Sequence, residues 1–143
     1  MNRFPKYNWQ IMKTFTIFFF TLLLLTSFFY ASYAQNQVIA SAKTAMKAGK
    51  AEDISRYFND LVEINFEDEK SSYNKQQAEF VLKEFFQKYP ALDFQYVHQG
   101  SSKEGMRFAI GTYTYNGGRF RVFMLIKETE GQYIIDMLDF GQE

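Results

Sequence analysis

Few side chains in this sequence could carry out catalysis, and a carboxylate near the C-terminus is the strongest candidate. Asp136 lies between Ile135 and Met137 in an apolar segment that predicts a β-strand. Strict alternation places it on the same strand face as Ile134 and Leu138. If that face points inward, burial raises the pKa of the carboxyl group, which could then act as a general base. The alternative is an acid at the rim of the sheet paired with an arginine, and the pattern favours this alternative.

The hydrogen-bond donors of such a site would come from one histidine and three tyrosines. His98 is the only histidine in the sequence, so a metal centre built from several histidines is impossible. A lone histidine near a strand end is more often structural than catalytic. The candidate pocket residues are Tyr57, Tyr96, His98, Tyr113 and Arg121. No cofactor or metal is expected, because the sequence contains no phosphate-binding glycine loop, nucleophile elbow or paired-cysteine motif.

The elements that must position these residues begin with two helices and a strand. Apolar residues at helical spacing predict a first helix that ends at Gly49 and a second, short helix over residues 51–58. Residues 60–66 alternate between apolar and polar side chains, which predicts a strand. The charged sequence EDEK at 67–70 predicts a solvated turn, because it lacks the spaced oxygen ligands of a calcium loop.

A long helix and a strand meander follow. Asn74 and Gln77 have the spacing of a capping box at the start of an amphipathic helix that Pro90 ends. Four segments rich in aromatic and β-branched residues, separated by turn sequences, predict antiparallel strands over residues 92–100, 106–115, 119–129 and 132–140. With the earlier elements they predict an α+β domain: N-terminal helices, one long amphipathic helix and a curved antiparallel sheet of about four to five strands.

The first 34 residues have the composition of a secretory signal peptide. Three basic residues and no acidic residue precede an uncharged run of 17 residues, Thr14 to Tyr30, and small residues follow it. This order predicts cleavage between Ala34 and Gln35, and Met12 is an alternative start because a complete leader begins there. The competing interpretation is an uncleaved membrane anchor, since 17 residues are at the lower limit for a span. We expect a periplasmic or secreted protein.

The charge balance and the lack of cysteine exclude several classes of protein. Removing the three basic residues of the leader leaves 13 lysines and arginines against 16 acidic residues, a net charge of −3. Nucleic-acid binding needs concentrated positive charge, so no nucleic-acid partner is expected. With no cysteine, a disulfide framework and a thiol nucleophile are impossible. A packed core must therefore stabilise the domain.

The last two strands are apolar on both faces, although a sheet with one solvated face should alternate between apolar and polar residues. Phe123 and Leu125, for example, alternate with residues that are also apolar. The helices can cover only one face, so the other face must meet a second surface. We expect that surface to be a second copy of the chain, because a self-complementary sheet face is a common way to form a homodimer.

Similarity to a known family is carried by four segments: YNKQQAEFVLKEFFQKYP, HQGSSKEGMRFAIGTY, FRVFMLIK and GQYIIDML. They resemble a family of short exported bacterial proteins, domain of unknown function 4783, and the resemblance spans Val38 to Leu138. The order of elements is similar to the cone-like fold of the nuclear transport factor two-like, or cystatin-like, superfamily. The resemblance implies this fold and an exported location. It implies no catalytic residues, because the family has none established.

Taken together, the sequence favours a binding or assembly module of the cell envelope without enzymatic activity. The space between the long helix and the sheet would be apolar and aromatic, which suits a small hydrophobic ligand if the space is open. Phe85, Phe94 and Phe108 could equally fill it. The alternative is a small cavity enzyme of isomerase or dehydratase type that acts on a hydrophobic ligand through Asp136, with His98 or a tyrosine as donor.

Overall fold

The computed structural model describes residues 17–19, 37–67, 69–102 and 106–143. The chain divides into two compact units, Met1–Tyr33 and Ala34–Glu143. Residues 17–19 are helical; the rest of the predicted signal peptide and its cleavage site at Ala34 and Gln35 lie outside the described residues. In the ranges described, no helix is long and apolar enough to span a bilayer.

Two short helices open the second unit. The first, α1, covers residues 37–48 and ends at Gly49, whose φ of +63° favours glycine. The amide of Lys50 then donates to the carbonyl of Ala45 at 2.9 Å, which closes the helix end. The second, α2, covers Ala51–Ser55 and is shorter than predicted, because the chain is already extended from Phe58 onward.

The long helix α3, Lys75–Lys88, has the predicted boundaries. The Asn74 side chain accepts a hydrogen bond from the Gln77 amide at 2.9 Å, and the Gln77 side chain accepts one from the Asn74 amide at 3.3 Å. This reciprocal capping box satisfies two amides that a helix start otherwise leaves unpaired. At the other end, Tyr89 caps the helix just before Pro90.

Six strands form one sheet in the order β2-β1-β6-β5-β4-β3. They are β1 Phe58–Phe66, β2 Glu69–Asn74, β3 Ala91–Ser101, β4 Arg107–Tyr115, β5 Gly118–Thr129 and β6 Gln132–Gln142. Strands β3 to β6 form the predicted antiparallel meander. The last strand, β6, then pairs in parallel with β1, so the first and the last strand of the chain are neighbours within the sheet.

The sixth strand, β2, is the element that the sequence did not predict. The predicted turn at 67–70 is shorter than expected: Glu67 has a left-handed φ of 57°, and the strand begins at Glu69. The sequence EKSSYN of β2 is polar and mostly exposed, so it has no apolar alternation to indicate a strand. Antiparallel pairing with β1 holds it in place at the sheet edge, with Val62 opposite Tyr73.

A β-bulge in β6 overturns the strict alternation expected around Asp136. Leu125 pairs with Met137, whereas Ile126 pairs with Ile135, so Asp136 is an extra residue with no partner on β5. The bulge keeps Ile135 and Leu138 buried on the same side of the sheet. Met137 therefore lies on the opposite side, and Asp136 does not share a face with Leu138 as alternation alone predicts.

The core lies between the helices and one face of the sheet, which we call the inner face. Helix α3 contributes Ala78, Leu82, Phe85 and Phe86, and β5 contributes Phe120, Val122, Met124 and Ile126. The ring of Phe85 lies at the centre, with its centroid 4.5 Å from that of Phe140 and 5.6 Å from that of Tyr113. Burial of each such side chain stabilises the fold by about 1.5–3 kcal/mol.

Candidate ligand-binding site

Asp136, the candidate general base, has both carboxylate oxygens occupied. Its Oδ2 lies 2.5 Å from the Lys127 ammonium, and its Oδ1 accepts a hydrogen bond from the Asn59 side chain at 3.1 Å. The Asp136 side chain is 19% exposed, and the Lys127 side chain is 42% exposed. The bulge thus presents the carboxylate to a lysine on the neighbouring strand, and the contacts with Lys127 and Asn59 link β6 to β5 and β1.

His98 lies far from Asp136. It is exposed on β3, directly after a bulge at Val97, and its ring centroid is 5.6 Å from that of Phe108. Two strands separate β3 from β6, so three strand spacings, about 14 Å, lie between the two backbones. The structure therefore does not bring the candidate base and the candidate donor into one site.

The three candidate tyrosines donate hydrogen bonds to α1 or to the residue that caps α3. Tyr57 donates to the Ser41 hydroxyl at 3.0 Å, and Tyr96 donates to the carbonyl of Ile39 at 2.9 Å. Burial raises the pKa of Tyr96. Arg121, the remaining predicted pocket residue, is exposed on the face opposite the helices.

Tyr113 joins the C-terminal end of α3 to the sheet. Its hydroxyl donates to the carbonyl of Tyr89 at 2.6 Å, and burial raises its pKa to about 12. A buried phenol that donates to a backbone carbonyl remains protonated at neutral pH and is not a proton donor for a ligand. The predicted tyrosines therefore have partners within the protein rather than a shared open pocket.

A concave site lies elsewhere in the part of the chain that the structure describes, between the C-terminal half of α3, the β1–β2 turn and the start of β5. We call it the cleft; its volume is about 680 Å³. It is lined by Phe66, Glu67, Glu69, Tyr73, Val81, Glu84, Phe85, Lys88, Tyr89 and Phe120. The size falls within the range of about 300–1,000 Å³ that small-molecule sites occupy. Of the three phenylalanines expected in the space between helix and sheet, Phe85 lines the cleft, Phe94 is buried, and Phe108 lies on the opposite face of the sheet.

Aromatic rings form the floor of the cleft. The Phe85 centroid lies 5.1 Å from that of Phe66 and 5.2 Å from that of Phe120. Tyr89 extends the cluster, with its centroid 5.0 Å from that of Phe120. These rings come from α3, β1 and β5, so only the folded chain assembles them. A partial signal exists in the sequence, because Phe85 and Tyr89 share the aromatic face of the long helix.

Charged side chains form the rim of the cleft. Glu67, Glu69 and Glu84 are exposed, and none of them forms an ion pair with a described residue. The fourth charged residue is Lys88, whose ammonium lies 5.1 Å from the Tyr89 ring centroid. Within the part of the chain that the structure describes, no group of three or more His, Cys, Asp or Glu residues is placed to hold a metal ion.

The face of the sheet opposite the helices, which we call the outer face, is partly apolar. Phe108 and Phe123 stack there with centroids 6.0 Å apart, and Leu125 and Met137 pair across adjacent strands. Each of these four side chains is partly exposed. The outer face therefore contains two stacked rings and two flexible apolar side chains next to one another without full burial.

A polar group on the outer face lacks a partner. Asn65 is 1% exposed, and its amide nitrogen donates to Glu63 at 2.8 Å and to Asp139 at 3.4 Å. Its side-chain oxygen is buried and accepts no hydrogen bond from a described residue. A buried acceptor without a donor costs about 1–3 kcal/mol.

Comparison with known proteins fits this architecture. The family model for DUF4783, a domain of unknown function, matches residues 39–141. The chain belongs to the DUF4783 family. No protein with a curated functional description matches it in sequence.

Solved structures of DUF4783 proteins are similar to this chain. The family protein from Bacteroides ovatus ATCC 8483 is 33% identical with a TM-score of 0.69, and the match covers 73% of this chain and 94% of that one. The family protein from Bacteroides fragilis YCH46 is 25% identical with a TM-score of 0.68, covering 72% and 96%. An NTF2-like protein of unknown function from Shewanella baltica OS155, 15% identical with a TM-score of 0.61 over 78% and 93%, shows that the fold is NTF2-like.

Proposed function

We propose that this DUF4783 protein is an exported, non-enzymatic binding module of the cell envelope, and that the cleft holds a small hydrophobic ligand. The observation that carries the proposal is the open cleft of about 680 Å³ with an aromatic floor. Such a floor, assembled from α3, β1 and β5, offers apolar contact area in a concave site. The export part rests on the N-terminal leader, and the N-terminal residue of the protein isolated from its native envelope should be Gln35.

The contacts of Asp136 favour this function over the cavity enzyme. A general base needs a free oxygen facing a substrate, whereas Asp136 faces Lys127 and Asn59. The candidate donor His98 lies on β3, three strand spacings or about 14 Å from β6, beyond hydrogen-bond reach of the same substrate atom. Within the described residues, the cleft itself contains carboxylates and rings but no histidine.

A neutral fluorescent reporter, N-phenyl-1-naphthylamine, tests binding in the cleft. We expect its emission to rise on binding to the purified protein. Val81 lines the cleft from α3, so Val81→Trp should fill the space and weaken binding by at least about tenfold. Val97→Trp is the matched control, because Val97 is 68% exposed on β3. Equal binding by the two variants would contradict the proposal.

The outer face supports a second role, assembly into a homodimer. Phe123, Leu125 and Met137, which are partly exposed, would pack against the same residues of a second copy. Glu63 and Asp139 form no ion pair with a described residue, and neither does Arg121, so opposite charges are free to meet across a two-fold axis.

Light scattering tests the homodimer. We expect twice the mass of one chain for the wild type and the mass of one chain for Leu125→Glu, which places a charge in the middle of the outer face. Val97→Glu, on the exposed β3 edge, should remain dimeric. A wild-type monomer at high concentration would rule out this interface.

A further inference from the structure

We propose that the cleft selects small organic cations, in which an ammonium group is surrounded by apolar carbon, over neutral or anionic ligands of the same shape. This inference rests on the proposed function, that the cleft binds a small hydrophobic ligand. It adds the charge of that ligand, which the aromatic floor alone does not determine.

The first argument is the charge of the rim. Three glutamates and one lysine line the cleft, which leaves an excess of two negative charges. Glu67, Glu69 and Glu84 form no ion pair with a described residue. A concave surface lined mainly by one sign of charge concentrates ligands of the opposite sign and repels those of the same sign.

The second argument is the direction of α3. Five of the lining residues, Val81, Glu84, Phe85, Lys88 and Tyr89, belong to the last two turns of this helix or to its cap. The C-terminal end of a helix carries a partial negative charge of about half an elementary charge. This field has the same sign as the glutamates, so both favour a cation at the same place.

The third argument is a cation that the protein itself places against the floor. The Lys88 ammonium lies 5.1 Å from the centroid of the Tyr89 ring, within the range of cation–π contact. Phe66 and Tyr73 present further rings in the same cleft, and both are partly exposed. An alkylated ammonium would contact these ring faces and the glutamates together, whereas a neutral ligand would contact only the rings.

Three probes of one shape separate charge from hydrophobicity. Choline, 3,3-dimethylbutan-1-ol and 3,3-dimethylbutanoate present the same branched head, and they are cationic, neutral and anionic, respectively. We expect choline to displace N-phenyl-1-naphthylamine at a concentration at least about tenfold lower than the alcohol, and the anion to be the weakest of the three.

Charge variants tie this selectivity to the rim. The double change Glu69→Gln and Glu84→Gln should weaken choline binding several-fold, because it removes charge without changing shape. The affinity for the alcohol should stay the same. Lys88→Met should strengthen choline binding, since it removes a competing cation. Glu128→Gln is the matched control: it lies eight residues beyond Phe120 on β5, about 26 Å from the cleft, and should change nothing.

The outcomes distinguish the two proposals. If choline and the alcohol displace the reporter equally, or if the rim variants leave choline affinity unchanged, charge selection is overturned while the binding function stands. If the reporter does not bind the wild-type protein at all, the proposed function is overturned, and the inference is overturned with it.

Discussion

Carboxylates lie near two points of β5, Lys127 and Phe120, which are seven residues or about 23 Å apart along the strand, and the two environments differ. Near Lys127, Asp136 is held by an ammonium and an amide of neighbouring strands. Near Phe120, the glutamates of the cleft surround a concave aromatic surface and lack ion-pair partners among the described residues. A carboxylate whose partners are within the fold contributes to structure, whereas unpaired carboxylates around a cavity are available to a ligand. The difference indicates where to look for function.

The largest expected effect concerns the ring that the core and the cleft share. Phe85→Ala removes the centre of the aromatic cluster and should lower the free energy of unfolding by about 3–5 kcal/mol. Phe80→Ala is the control on the same helix: its side chain is 60% exposed, so the change should stay within about 0.5 kcal/mol. Urea denaturation followed by circular dichroism measures both. Similar losses for the two variants would show that the cleft floor is not part of the core.

A smaller effect is expected where Tyr113 joins the sheet to α3. Tyr113→Phe removes the hydrogen bond to the Tyr89 carbonyl and should cost about 1 kcal/mol at neutral pH. The folded-state pKa of Tyr113, about 12, lies above the ordinary tyrosine value of 10.0, so its stabilisation is complete below pH 10 and is lost as the pH rises toward 12. The variant should therefore lose less stability than the wild type between pH 10 and 12. Identical alkaline unfolding curves would contradict the assignment.

The smallest effects test the two groups of carboxylates directly. Asp136→Ala should lower the free energy of unfolding by about 0.5–1 kcal/mol, since Lys127 is partly solvated, and should leave reporter binding unchanged. Glu84→Gln, in contrast, should leave the free energy of unfolding unchanged and weaken choline binding. If Asp136→Ala abolishes ligand binding, the functional site lies at the bulge rather than in the cleft.

Much of the fold follows from local sequence chemistry. The capping box at Asn74 and Gln77 and the turn sequences of the meander determine α3 and four strands, because those signals lie within a few residues of one another. Strand β2 could not be found in this way, since its residues are polar and only the ladder to β1 orders them. The local sequence does not indicate the bulge at Asp136 either, because the bulge depends on the register with β5.

The cleft was less predictable than the fold. Its floor combines Phe66, Phe85 and Phe120, which are 54 positions apart in the chain at the extremes and meet only through tertiary packing. The prediction of a pocket at Tyr57, Tyr96, His98, Tyr113 and Arg121 rested on residue type and position in the sequence, which do not indicate the hydrogen-bond partners of these side chains. The three tyrosines donate hydrogen bonds within the protein, to the Ser41 hydroxyl and to the carbonyl groups of Ile39 and Tyr89.

Mapping of amide chemical shifts during titration of the purified protein with N-phenyl-1-naphthylamine tests the central claim most directly. We predict that the largest shifts fall on the cleft, at Phe66, Val81, Tyr89 and Phe120, and that Val81→Trp abolishes them. Shifts centred on Asp136 and Lys127, or on the outer face around Phe123, would contradict the assignment of the cleft as the ligand site.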